Sequence, residues 1–287
     1  MVKIVVVVLC GMVSIAPCFA YDNSFLIDVG KEKILLPHLT GYDEEIYKID
    51  EIQSFFETFV PSTNVLLFAY MESSDVDRIA NLQEPEMDSY ILVEIPRSMV
   101  NETFSNNDFD KLLNIFTDAM HKQFGSDLLE ESKKEVQNNV RDKYDEDINV
   151  DFSNSEIVKV DKAENFSITI VKFLVDGSVG SDSYNYSMLA GINSIFAKNK
   201  FITVYAYKKY TDKNDIQYVE ELSNSISSWI VDNNPSTATI TTSVKQRGYG
   251  GFDYKRVISK AIVIGMLAGF FALLGYIWRR VRKSREL

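Results

Sequence analysis

The chain has 287 residues, 46% of them hydrophobic and 12% aromatic, with a formal net charge of −11. That composition excludes a disordered polyanion, and about 230 residues remain for one folded domain once terminal targeting segments are set aside. The acidic balance argues against nucleic acid or an anionic bilayer surface as a partner held by long-range attraction.

Residues 1–20, MVKIVVVVLCGMVSIAPCFA, carry one early cation at Lys3, an apolar run from Ile4 to Ala16 and a small-x-small ending, Cys18-Phe19-Ala20. This is the three-part pattern of a secretory signal peptide, cleaved after Ala20. Acylation of Cys18 is the alternative, but Pro17 stands where lipoprotein signals resemble one another in having a small residue. Both cysteines, Cys10 and Cys18, lie inside this segment, so the mature chain is expected to have none. Disulfides, thiolate catalysis and Cys-ligated metal centres are excluded with them.

An extracytoplasmic α+β domain is expected over 21–234. Between 21 and 250 the Lys and Arg fall from 30 to 21 and the Asp and Glu from 41 to 39, a balance of −18. FLIDVGKEKILL (Phe25–Leu36) reads as a strand pair or one long strand, and Ile52, Phe55, Phe56 and Phe59 recur at the spacing of a helical core stripe. Val65–Tyr70 and Tyr90–Ile95 read as strands separated by a polar stretch bearing Pro85. Leu112, Ile115, Phe116, Ala119 and Met120 repeat the helical spacing, and a more polar helix is expected from Leu128 to Tyr144.

The period then changes to two. Phe166, Ile168 and Ile170 alternate with Ser167 and Thr169, and Met188–Ala197 and Phe201–Tyr207 flank the turn Lys198-Asn199-Lys200 as a hairpin. A last helix is expected near Asn214, where Asn214 and Gln217 resemble a capping box, with Ile216, Val219, Leu222, Ile226, Trp229 and Ile230 on one face. Residues 235–256 read as a polar tether. The strand and helix order predicts an antiparallel sheet covered by helices.

Ala261–Trp278 has 18 residues without a charge, and Val257 and Ile258 extend it, so 257–278 is expected to be a transmembrane helix. Tyr276 and Trp278 suit an interface, and the basic tail 279–287 with Arg279, Arg280, Arg282, Lys283 and Arg285 favours a cytoplasmic C-terminus. A cleavable sorting signal is the alternative, but no LPxTG or Pro-Glu-Pro motif precedes the helix. Gly265 and Gly269 form a GxxxG face on which two backbones can approach closely, the basis for a homodimer or for pairing with another envelope protein.

KILLPHLTGY, NVLLFAY and KNKFITVYAY, the last followed by an amphipathic helix ending in SSWIVDNN, together resemble uncharacterised exported, C-terminally anchored bacterial proteins with a Mog1/PsbP-like α/β domain. The resemblance spans about two-thirds of the domain and rests on structural positions. It implies a binding or assembly module rather than a catalyst, on the outer face of a bacterial inner membrane with the domain in the periplasm. The sequons at Asn101, Asn165 and Asn185 carry no weight there.

No catalytic residue and no cofactor is assigned. His38 and His121 belong to no metal-ligand spacing, and no GxSxG elbow occurs. Asp145, Asp147, Asn149, Asp151 and Glu156 occupy positions 1, 3, 5, 7 and 12 of a calcium loop of the EF-hand type, but Val150 stands where that loop turns on a glycine. A solvated acidic loop is the expectation for 145–156. The rival to a binding module is an anchored periplasmic enzyme or calcium-binding domain without a recognisable motif.

Overall fold

A computed structural model describes residues 24–236 apart from 45–49, 61, 82, 124–126, 146 and 180–181. The expected signal peptide, the tether beyond Ser236, the helix over 257–278 with Gly265 and Gly269, and the basic tail lie outside the described residues. Among the described residues no helix is long and apolar enough to cross a membrane.

Phe25–Leu36 is a hairpin of β1 (Ser24–Val29) and β2 (Glu32–Pro37), closed by two residues of which Gly30 sits at φ 64°. Only glycine is at ease there, and a Cβ on Gly30 would lie 2.4 Å from the Val100 carbonyl oxygen. The chain continues through β3 (Tyr42–Asp43), α1 (Asp50–Thr58), β4 (Asn64–Glu72), α2 (Ser73–Ala80) and β5 (Ser89–Pro96). Then come α3 (Asn106–Gln123), α4 (Asp127–Tyr144), β6 (Ile148–Lys162), β7 (Phe166–Val179), β8 (Asp182–Ala197), β9 (Lys200–Lys209) and α5 (Lys213–Asn233). Strands β3 to β9 form one sheet in the order β3-β4-β5-β9-β8-β7-β6, antiparallel at every pairing, as the strand and helix order implies.

Residues opposite one another in an antiparallel ladder share a face of the sheet. Ile91, Val93 and Ile95 of β5, Ile202, Val204 and Ala206 of β9, Leu189, Gly191, Asn193 and Ile195 of β8, and Ile168 and Ile170 of β7 therefore point one way. Helix α5 lies on that face, through Val219, Leu222, Ser223, Ile226 and Ile230, and the β1–β2 hairpin joins it where Phe25 meets Phe68 at 4.3 Å between ring centroids. The opposite face holds Tyr90, Leu92, Tyr205, Tyr207, Ile192 and Phe196. There Phe109 of α3 packs on Phe196 and Phe201, while α4 reaches β6 and α1 packs beside α4. Because both faces are covered, every residue of β5 is buried and its sequence, SYILVEIP, is almost continuously apolar.

Three expectations are corrected. Ser73–Ala80, read as part of a polar connection, is the helix α2. The capping box of α5 is formed by Asp212 and Asp215 rather than by Asn214 and Gln217, with the Asp212 carboxylate accepting from the Asn214 N–H at 2.7 Å. An aspartate oxygen accepts the free amide hydrogens at the start of a helix as readily as an asparagine one, and it also faces the positive end of the dipole. Third, 148–156, expected to lie in a solvated loop, is the first half of β6, which begins at Ile148 shortly after α4 ends at Tyr144.

The α5 contact turns on Gly191. A Cβ there would lie 2.3 Å from Ser223 Oγ and 2.9 Å from Val219 Cγ1. Gly191→Ala is expected to destabilise the domain by about 2 kcal/mol through overpacking. Ser223→Ala, which removes a buried hydroxyl lacking a hydrogen-bond partner among the described residues, should recover part of that loss in the double variant. Urea midpoints of the three proteins read the effect; equal midpoints for wild type and Gly191→Ala would mean that α5 shifts at no energetic expense.

Candidate functional site

Beside the first two turns of α5, whose Val219 and Ile216 pack on Ile168, Ile170 and Leu189, an open cleft of about 600 Å³ lies over β6 and β7. Its floor is Lys172 of β7 beside Glu156 of β6, which face each other in the ladder. Its wall is Tyr210, Lys213, Ile216, Gln217, Glu220 and Glu221. The wall is held by local chemistry: the Tyr210 N–H donates to the Ser187 carbonyl at 2.8 Å, and the Asp215 carboxylate accepts from the N–H groups of Thr211 and Asp212 at 2.7 and 3.0 Å. Burial works against the charged form of Asp215, but those hydrogen bonds outweigh it and hold the group below the usual aspartate range.

Within the cleft the Lys172 ammonium lies 3.9 Å from the centroid of the Tyr210 ring, a cation–π contact that fixes both side chains. Gln217 donates to Glu221 at 2.8 Å, and Lys159 donates to Glu220 at the rim. The lining thus alternates ammonium and carboxylate groups around one aromatic ring and one aliphatic side chain, Ile216. Such a surface offers donors, acceptors and both signs of charge within a few ångströms, which suits a polar extended chain better than a single ion.

The residues of the calcium-like spacing are spread out. Asp145 follows the last turn of α4 at φ 54°, its N–H donating to the Arg141 carbonyl at 2.8 Å. Asp147 pairs with Arg141 at 2.6 Å, and Asp151 accepts from Lys133 at 2.8 Å. Asn149 is exposed on β6, and Glu156 lies in the cleft. A strand advances about 3.3 Å per residue, so Asn149 and Glu156 are separated by about 20 Å and cannot share an ion. Among the described residues no group of three or more His, Cys, Asp or Glu side chains is placed to hold a metal. His38 follows β2 and its Nδ1 lies 2.5 Å from the Glu44 carboxylate, whereas His121 is on α3 with its side chain outside the described residues.

A second feature escaped the sequence reading. On the face away from α5, a row of polar side chains crosses five strands: Asn64, Glu94, Thr203, Ser194 and Ser167, none more than 5% exposed. Asn64 Nδ2 donates to Glu94 Oε2 at 2.8 Å, while Glu94 Oε1 and Asn64 Oδ1 are buried without a hydrogen-bond partner among the described residues. Burial disfavours the carboxylate more than the Asn64 hydrogen bond favours it, so the Glu94 pKa is pushed up to about 7. Beside it Tyr90 and Tyr207 stack at 4.6 Å between centroids, and burial raises both phenols well above their ordinary range. The signal for this row was a single charged residue inside YILVEIP.

No protein-family model matches the chain, and no curated protein does. Among solved structures, the Ran-binding protein Mog1p of Saccharomyces cerevisiae aligns at 10% identity and a TM-score of 0.32, over 74% of this chain and 94% of that one. A mutant form of Mog1 aligns at 10% identity and a TM-score of 0.31 over the same shares of the two chains.

Proposed function

We propose that this chain is a membrane-anchored binding or assembly module of the bacterial cell envelope, its Mog1/PsbP-like domain in the periplasm, its anchor at 257–278 and its basic tail in the cytoplasm. The topology is supported by the apolar run Ala261–Trp278, the cations that follow it and the signal-peptide pattern at the other end. The fold family is supported by the motifs KILLPHLTGY, NVLLFAY and KNKFITVYAY. Gly265 and Gly269 supply a face on which the anchor pairs with a copy of itself or with another membrane helix.

The observation that carries the binding role is the cleft of mixed charge between α5 and the β6–β7 ladder. Its ligand is an extended polypeptide segment of an envelope protein, read by Lys172, Glu156 and Tyr210 and brought within reach by the tether over 235–256. The test is photo-cross-linking in intact membranes from a probe at Gln217 of the full-length protein. One defined heterologous product is expected, reduced on the order of tenfold by Lys172→Glu, because that change reverses the charge on the floor and breaks the contact with Tyr210. Products identical to those from a probe at exposed Asn149, or undiminished by Lys172→Glu, would exclude the cleft as the binding site.

A further inference from the structure

Strand β6 closes one end of the seven-stranded sheet, and from Val158 to Lys162 no described strand pairs with its outer edge, while the Lys159 and Lys162 side chains reach Glu220 of α5 and Asp110 of α3. At the other end the sheet stops at the two residues of β3, too short to template pairing. Near the end of β6 stands Val160, one of two large hydrophobic side chains conspicuously exposed among the described residues, at 48%. It is flanked by Lys159 and Asp161.

The direction of the backbone groups follows from the neighbouring turn. The Ala163 N–H donates to the Phe166 carbonyl, and backbone groups alternate along an antiparallel ladder. Asp161 and Lys159 therefore direct theirs to β7, and Val160 and Lys162 direct theirs outward. A second β6 added antiparallel must set outward residues against outward residues, so its twofold axis has to pass through a residue. With the axis at Lys159 two ammonium groups oppose each other, and with it at Asp161 two carboxylates do. At Val158 it meets the irregularity in the ladder between Ile157 and Lys159. With the axis at Val160 no like charges oppose each other: Lys159 faces the partner's Asp161, Asp161 faces the partner's Lys159, Lys162 faces the partner's Val158, and the exposed valines meet on the axis. The strand ends at Lys162, so Glu156 and Glu164 fall outside the shared ladder.

We infer that the domain forms a twofold dimer by antiparallel pairing of β6 with β6 of a second copy, centred on Val160, which joins the two sheets into one. The bulges and charges of this edge discourage pairing with an arbitrary strand, and the alternation of Lys159, Val160 and Asp161 selects its own copy. Within each copy Lys159 already pairs with Glu220 and lies 3.7 Å from its own Asp161, so the dimer brings two such charge clusters together across the axis.

The experiment is sedimentation equilibrium of the full-length protein in detergent, with Gly265→Leu/Gly269→Leu present throughout so that the anchor does not contribute. The parent is expected to be a dimer. Asp161→Lys should raise its dissociation constant on the order of tenfold or more, because two attractive cross-strand pairs become repulsive, and Lys159→Asp/Asp161→Lys should restore association. Because Asp161 is at the exposed end of the strand, unchanged circular dichroism will separate lost pairing from lost folding. A nitroxide on Val160→Cys, with Cys10 and Cys18 replaced by Ser, should show dipolar broadening that unlabelled protein dilutes away. A monomeric parent, a dimer indifferent to Asp161→Lys, a charge swap that fails to restore it, or a label at Val160 without broadening would each overturn the inference.

Discussion

Raising the pH from about 5 to about 8 is expected to remove roughly 3 kcal/mol of stability from the folded domain, and Glu94→Gln is expected to abolish most of that loss. The cause is Glu94, buried on β5 with a pKa pushed up to about 7 from an ordinary 4.5. Below 4.5 the carboxyl is protonated in both the folded and the unfolded chain. Between 4.5 and 7 the folded protein keeps the proton while the unfolded chain releases it, so stability falls steadily as pH rises. Above 7 both are ionised and the folded state holds a buried charge whose hydrogen bonds are supplied only in part, by Asn64. Glutamine keeps the volume and the link to Asn64 without the charge, so the variant should exceed wild type by about the same roughly 3 kcal/mol at pH 8 and match it near pH 4.5. Glu72 and Asp75 are also raised by burial and add a slope of the same sign, but they do so in both proteins, and the difference between them isolates Glu94. Urea denaturation at a series of pH values reads it directly. Parallel curves for the two proteins would show that Glu94 stays ionised in the folded state, satisfied by a rearrangement of the Asn64 side chain.

That residue also shows what kind of information the sequence held. The hairpin at Lys198-Asn199 was legible because a two-residue turn with both residues at positive φ, here 46° and 61°, leaves polar residues between two β-rich runs. Helix α5 was legible because six apolar residues keep the helical period over its length. Strand β6 was legible only in its second half, where EIVKVD reads as strand; in the first half, among the described side chains, only Ile148 and Phe152 are well buried, four residues apart, and the strand is held by its ladder to β7 rather than by an apolar face of its own. Ser167 and Thr169 show a different limit. Their alternation with Phe166, Ile168 and Ile170 announces a strand but not what covers its second face, and both are 5% exposed because helices cover the sheet on both sides. The cleft was invisible for a different reason. Glu156, Lys172 and Tyr210 are brought together by the register of β6 on β7 and the point where α5 begins, and register depends on long-range pairing that no local pattern encodes.

Asn234→Ala is expected to destabilise the domain by about 3 kcal/mol, although the residue lies just past the end of α5 in a sequence that reads only as a helix stop. Its side chain is 1% exposed and acts as a short substitute for a strand: Oδ1 accepts from the Leu35 N–H at 2.8 Å and Nδ2 donates to the Leu35 carbonyl at 2.9 Å. The same Nδ2 donates to the Ile230 carbonyl at 2.8 Å, and the Asn234 carbonyl accepts from Lys198 N–H at 3.1 Å. One residue therefore ties α5 to the edge of β2 and to the turn between β8 and β9. Alanine leaves a donor and an acceptor of Leu35 without partners, at about 1–3 kcal/mol for each group orphaned in a buried place. Aspartate should be no better, since it keeps the bond from the Leu35 N–H but sets a carboxylate against the Leu35 and Ile230 carbonyls. Asn233→Ala is the control, because Asn233 is exposed and, among the described residues, its side chain bonds only the Trp229 carbonyl in its own helix. Urea midpoints should separate the two variants, and amide exchange at Leu35 should accelerate in Asn234→Ala before exchange at the centre of β9 does, because the hairpin loses its clasp while the sheet keeps its ladder. Equal small effects from the two alanines would mean that the β1–β2 hairpin is held by Phe25 against Phe68 and Tyr70 instead. The expected result makes Asn234 the residue that ties the end of α5 to β2 and to the β8–β9 turn, where the Ser236 hydroxyl also accepts from the Asn199 N–H at 3.1 Å.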